Sequence, residues 1–375
     1  MSRTILRDLR ALVTPVTTGV ALLALLAPAP PLAAQGIPVE EAQTVLRTLV
    51  ETYGPSGAEG PVRNAVKRLL PGGLRTETDS AGSLWVRFGG DGPATVFVAH
   101  MDEIGWQVKE IMADGTLTLE RLGGFFPSLY EGQLALVHTA RGAVPAVFMP
   151  RDSVGRNPDR TPGALRVDPG TGAAADTRAL GVAVGNTITM PKSYQRLAGT
   201  RATGRSFDDR VGCTALILAA RRLAQDPPDH PVILVWSVRE ETGLEGAAVA
   251  ADALRSNAKT VHAVDTFVSA DAPLERAAYG VAPLGGGAVI RAVDNSNVAP
   301  SALVDSVIAL AKRKNIPLQY GATSGGNDGS VFAPWGVPDV PLAWPLRYSH
   351  SPAEVTDLKD VAALGELVEA VARAW

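Results

Sequence analysis

The stretch VGCTALILAARRLAQDPPDHPVILVWSVREETG, residues 211 to 243, sets two periodicities back to back. In VGCTALILAARRLAQ the apolar residues recur at helical spacing, which predicts an amphipathic helix. DPPDH interrupts it, and PVILVWSVRE is then an unbroken apolar run of the kind found in a strand covered on both faces. A helix followed at once by a doubly buried strand predicts an α/β layer with a mostly parallel sheet flanked by helices.

The alternation continues on both sides. Downstream, GLEGAAVAADAL, SALVDSVIALAKRKN and VTDLKDVAALGELVEAVARAW read as helices, with TVHAVDTFVSAD and VPLAWPLRYSH as strand-like runs between them. Upstream, PVEEAQTVLRTLVETYG and PVRNAVKRLLPGG read as helices, followed by the strands SLWVRFGG and ATVFVAH across the turn GGDGPA. Between about residues 106 and 200 the texture differs. GTLTLERL, QLALVHTA, AVPAVFMP and ALGVAVGNTITM are short runs broken by Gly, Pro and Asp, with little helical periodicity, as in a small β-barrel. RDSVGRNPDRTPGALRVDPGTG reads as a surface loop. The expected organisation is a signal segment at 1–34, an α/β domain in two parts at 36–105 and 201–375, and an inserted β-barrel at 106–200.

Composition is that of an ordinary globular chain of 375 residues, 46% hydrophobic and 19% charged. A net charge of −3 without a long basic run argues against a nucleic-acid partner. The N-terminus has Arg3, Arg7 and Arg10, then the apolar TTGVALLALLAPAP, then small residues suited to cleavage after Ala34. The apolar run is short for a membrane span, so the expectation is export to the periplasm or beyond, with no stable membrane insertion after cleavage. The competing reading is an uncleaved anchor. Cys213 is the single cysteine and sits on an apolar helical face, so neither a disulfide nor a thiolate metal site is available. Any metal must be held by His and carboxylates.

In open α/β sheets, sites form beyond the carboxyl ends of the strands. Several of the predicted elements carry metal-capable groups at those positions. ATVFVAH ends at His100, PVILVWSVREE at Glu240 and Glu241, TVHAVDTFVSAD carries Asp265 and Asp271, and PLRYSH ends at His350. SFDDRVG sets Asp208 and Asp209 before the helix near Val211. Taken singly, each has an ordinary structural explanation: Asp208 an N-cap, His350 a turn residue, the glutamates an exposed helix start. Their recurrence at successive element ends points to one dimetal site of imidazole and carboxylate donors, suited to zinc first and to cobalt or manganese as alternatives. Strand alternation predicts that Glu240 and Glu241 face different ways, one binding metal and the other taking a proton. Asp102, two residues after His100, could orient its ring.

The stretches PSGAEGPVR, VAHMDEIG, SFDDRVGC, REETGLEGA, AVDTFVSAD, GGNDGSVFAPWGVP and PLRYSHSPAE, in this order, resemble the M42 metallopeptidases of clan MH, the glutamyl/leucyl and tetrahedral aminopeptidase group. The resemblance implies an α/β peptidase domain with an inserted β-barrel and a homo-oligomer. It implies two divalent ions held by His100, Asp208, Glu241, Asp265 and His350, with Asp208 bridging, Glu240 as general base and Asp102 orienting His100. The implied activity is hydrolysis of N-terminal residues from peptides with a free amine by a water between the metals. Asn327 departs from the family's Ser or Thr beside the aspartate, SAGSLWV lacks the usual asparagine, and the export segment is atypical. Competing readings are deacylation or carboxypeptidase-like hydrolysis on the same scaffold, and a non-catalytic metal-binding assembly module. A glycosidase would need two carboxylates flanking a sugar and fits this donor set poorly.

Overall fold

The architecture is that of a computed structural model describing residues 36–151, 163–272 and 280–375. The expected export segment 1–34 and residues 152–162 of the expected loop lie outside the described residues. Among the described residues, no helix is long and apolar enough to cross a membrane.

An eight-stranded sheet forms the middle layer. Its strand order is Thr76–Thr78, Leu84–Phe88, Val232–Ser237, Ala94–His100, Ala258–Val268, Leu342–Leu346, Ala288–Val293, Leu318–Ala322. The four central strands from Val232–Ser237 to Leu342–Leu346 run parallel. The antiparallel pairings lie outside this group. The sheet is thus mixed, with a parallel centre. Every residue of Ala94–His100 is buried, and alternate residues serve opposite faces. Phe97 and Ala99 join Trp236, Trp344, Leu216 and Leu364 under the helices Val39–Val50, Phe207–Gln225 and Leu358–Ala374. Val96 and Val98 join Val235, Ala247 and Ala251 under the helix Glu245–Leu254. Each Val, Leu or Phe among them is worth about 1.5–3 kcal/mol when fully buried, which is why the central strands read as continuous apolar runs.

After His100 the chain leaves the sheet and forms a closed six-stranded barrel in the order Gly105–Ile111, Leu117–Leu122, Arg166–Asp168, Gly142–Phe148, Leu134–Thr139, Thr187–Thr189. It has its own core around Trp106, Tyr130, Val137, Phe148 and Ile188. Contrary to expectation, the stretch RDSVGRNPDRTPGALRVDPGTG is not all loop: Arg166–Asp168 inside it is a barrel strand, pairing with Leu117–Thr118 and Val147–Phe148. A short helix, Ala174–Ala179, also interrupts the β texture. On the way back, Tyr194–Arg196 and Arg201–Gly204 join Glu354–Asp357 in a separate three-stranded sheet. Three strands of the main sheet, Thr76–Thr78, Ala288–Val293 and Leu318–Ala322, escaped the sequence reading. The last is a half-exposed edge strand of five residues, too short and too polar to show a period.

Candidate metal centre and catalytic cleft

The parallel strands deliver their ends to one cleft of about 460 Å³. His100 is the last residue of Ala94–His100, in register with Ser237, the last of Val232–Ser237. Asp265 lies inside Ala258–Val268, and His350 follows Leu342–Leu346 by four residues in a turn, at φ +60. Asp208 stands at the entry of the helix Phe207–Gln225 in a non-helical conformation. Its neighbour Asp209 does the capping: Oδ1 accepts the N–H of Gly212 at 2.9 Å and Oδ2 the N–H of His100 at 2.9 Å. The paired acids therefore divide the work. Asp209 ties helix to strand, which frees Asp208 to face the cleft.

Glu240 and Glu241 do not alternate along a strand as expected: the strand stops at Ser237, and both acids sit on the turn that follows, after Arg239 at φ +55. Both line the cleft. Their backbone N–H groups donate to the two oxygens of Asp102, at 3.0 Å and 3.2 Å. Asp102 also accepts the Ser56 hydroxyl at 2.5 Å. Its Oδ1 lies 3.3 Å from His100 Nδ1, near enough for an ion pair though not aligned as a full hydrogen bond. Asp102 thus touches both the imidazole and the turn carrying the two glutamates.

The inward-facing atoms are close together. His100 Nε2 lies 3.3 Å from Asp208 Oδ1 and 3.9 Å from Glu240 Oε2. His350 Nε2 lies 3.4 Å from Asp208 Oδ2 and 3.4 Å from Glu241 Oε2. The two oxygens of Asp208 therefore face two different imidazoles. His350 Nδ1 is 2.5 Å from the Gly124 carbonyl, an obligate acceptor just beyond the barrel strand Leu117–Leu122. In the neutral ring that contact places the proton on Nδ1 and leaves Nε2 its lone pair. Asp265 lines the cleft too, with Oδ2 3.3 Å from Arg291 Nη1. Asp271, the other candidate in that stretch, is taken up by Arg347 at 2.7 and 2.8 Å.

Burial dominates the electrostatics. It pushes the Glu241 carboxyl up to about 8, only partly offset by His350. It also holds Glu240 well above the usual carboxylate range; His100 opposes, while Asp265 and Glu241 reinforce. Burial disfavours the charged form of His100 as well, yet Glu240, Asp102 and Asp208 together hold its pKa above the usual value. Burial likewise opposes charge on His350, which Glu241 and Asp208 overcome. Carboxyls that retain protons beside imidazoles that gain them mark a cluster short of positive charge.

A divalent metal fits that deficit. One donor atom each from His100, Asp208 and Glu241 lies within 4.8 Å of the others. Glu241 Oε1 is buried with no hydrogen-bond partner. Donors about 2.0–2.2 Å from a tetrahedral ion stand roughly 3.3–3.6 Å apart, the spacing seen around both imidazoles. Imidazole with carboxylate is the donor chemistry of zinc, cobalt and manganese sites, and the residues present fit such an ion.

A family model described as M42 glutamyl aminopeptidase matches residues 82–367. The lysyl aminopeptidase of Pyrococcus furiosus is 30% identical, over 84% of this chain and 92% of its own. The glutamyl aminopeptidase of Lactococcus lactis is 28% identical, over 84% and 91%. Among solved structures, the TET1 peptidase of Pyrococcus horikoshii superposes with a TM-score of 0.82 at 31% identity, over 89% of this chain and all of that one. It is described as able to assemble into a tetrahedron or a large octahedral shell.

Proposed function

The chain belongs to the M42 glutamyl aminopeptidase family, and from that premise we propose that it removes N-terminal residues from peptides with the help of two divalent metal ions. His100, Asp208, Glu241, Asp265 and His350 would hold the pair, with Asp208 shared between them. One observation carries this reading: the two carboxylate oxygens of Asp208 face separate imidazoles at 3.3 and 3.4 Å. Metals so held would polarise the scissile carbonyl and make a water acidic enough to attack near neutral pH.

The protein's own groups do the rest. Glu240 borders the cleft beside His100 without being needed as a ligand, and serves as the base that takes the water's proton and passes it to the leaving amine. Asp102 holds the His100 ring and, through two backbone N–H groups, the turn on which Glu240 sits. The acidic cleft attracts a free α-ammonium group, which favours cleavage at the N-terminus. The assembly described for the TET1 peptidase supports a homo-oligomer here as well.

Metal analysis of the purified protein, with hydrolysis of Leu, Glu, Lys and Ala anilides against N-blocked peptides, tests the proposal. The expected result is about two zinc or cobalt ions per chain, anilide hydrolysis lost with chelator and restored by metal, and no cleavage of blocked peptides. Cleavage of blocked substrates at equal rate would sink the aminopeptidase reading.

A further inference from the structure

Glu354 opens the strand Glu354–Asp357 and is only 2% exposed. It has no part in the chemistry described so far. Its Oε2 accepts the backbone N–H of Phe207 at 2.7 Å and, more weakly, that of Asp208 at 3.4 Å. Its Oε1 accepts the backbone N–H of His350 at 3.0 Å. One carboxylate therefore ties together two distant chain segments. Each segment carries one of a pair of groups that meet at 3.4 Å, Asp208 Oδ2 and His350 Nε2.

Neither segment is held by regular structure of its own. Ser206 has φ +71 and Asp208 a non-helical ψ, so the helix entry is irregular. His350, at φ +60, lies between the end of Leu342–Leu346 and the start of Glu354–Asp357. Glu354 is a fixed point by contrast. It pairs with Gly204, and Val355 exchanges two backbone hydrogen bonds with Arg347 at 3.0 and 3.1 Å. A buried carboxylate is costly to maintain unless its lone pairs are matched. Here they are matched by three backbone N–H groups. Asp102 performs the corresponding service for the other half, accepting the N–H groups of Glu240 and Glu241.

We propose that Glu354 is a positioning residue for metal binding: by holding Phe207, Asp208 and His350 at one carboxylate, it fixes the Asp208–His350 separation and so sets metal affinity. The inference rests on the ligand assignment under Proposed function.

The test uses the full-length protein and three variants, with zinc affinity measured by chelator competition, the visible spectrum of the cobalt-loaded form, and Tm. Glu354→Gln keeps the shape but turns an N–H donor toward one of the segments. Glu354→Asp keeps the charge and withdraws the carboxylate by one methylene, and serves should the amide fail to fold. Asp360→Asn is the control. Asp360 is also buried and accepts two backbone N–H groups, from Gly285 and Gly287 at 2.7 Å, but serves no ligand. The expected result is zinc affinity weakened roughly 10–100-fold in Glu354→Gln, a smaller loss in Glu354→Asp, and a changed cobalt spectrum in both. Asp360→Asn should lower Tm with zinc affinity intact. If both Glu354 variants bind zinc within about twofold of the parent, far short of that loss, while losing Tm as the control does, Glu354 is only a structural link and the proposal falls. If the parent itself binds neither zinc nor cobalt, the ligand assignment is what has failed, and the inference goes with it.

Discussion

At the residue scale, the division of labour within adjacent pairs decides the chemistry. Asp208 faces two imidazoles while Asp209 caps the helix and accepts the N–H of His100. Glu240 and Glu241 share a turn, and Glu241 alone carries a buried oxygen without a partner. Replacing Glu240 by Gln should therefore leave bound metal near the parent level and lower kcat by about 10²–10⁴-fold, the usual worth of a positioned general base. Metal analysis beside steady-state rates checks it; full activity in that variant would reassign the base. The residues that meet in the cleft could be picked out because His100 closes an apolar run, Asp208 stands at a helix entry, and Asp265 is an acid within an apolar strand. Asp209 had a visible signal in the doubled acid before the helix. Glu354 had none, since it works through backbone N–H groups that no residue type announces.

At the element scale, the site depends on how closely the helix Phe207–Gln225 approaches the sheet. A Cβ at Gly212 would stand 2.3 Å from Asp209 Oδ1 and 2.4 Å from the Val264 carbonyl. Val264 is in the strand that carries Asp265, so this contact sets the spacing between two elements that line the cleft. Gly212→Ala should cost about 1–3 kcal/mol by overpacking and also weaken metal binding, because relief requires the helix entry to move. Urea unfolding and chelator competition on the same protein check both effects. A stability loss with unchanged metal affinity would show that the strain is absorbed elsewhere. The helix and the buried strand on either side of DPPDH were plain in the periodicity. The turn after Ser237 was not, because an apolar run shows where burial ends but not where hydrogen-bonded pairing ends.

At the scale of the whole molecule, burial creates a pH dependence away from the cleft. His262 is buried beneath Phe97, with its Nδ1 2.8 Å from the Val340 carbonyl. Burial pushes its pKa down to about 4 from 6.5. The native state therefore binds this proton less readily than the unfolded chain. The associated stability is fully present above about pH 6.5 and is lost as pH falls toward 4, amounting to about 3 kcal/mol at its largest. His262→Phe should have a lower stability at pH 7 but a flatter loss between pH 6.5 and 4. Urea midpoints of both proteins, taken with chelator present, give the comparison; parallel pH curves would refute it.

Apolar periodicity is a local property, so the main helices, the central strands of the sheet, the interrupting β texture and the acids and imidazoles near element ends were readable along the chain. Which oxygen faces which ring, which of two neighbouring acids turns inward, and which edge strands complete the sheet depend on contacts between residues far apart in the chain. Those contacts exist only once the parallel strands have aligned and the barrel has returned to close the cleft. A single-chain pattern carries no record of distances that folding itself creates.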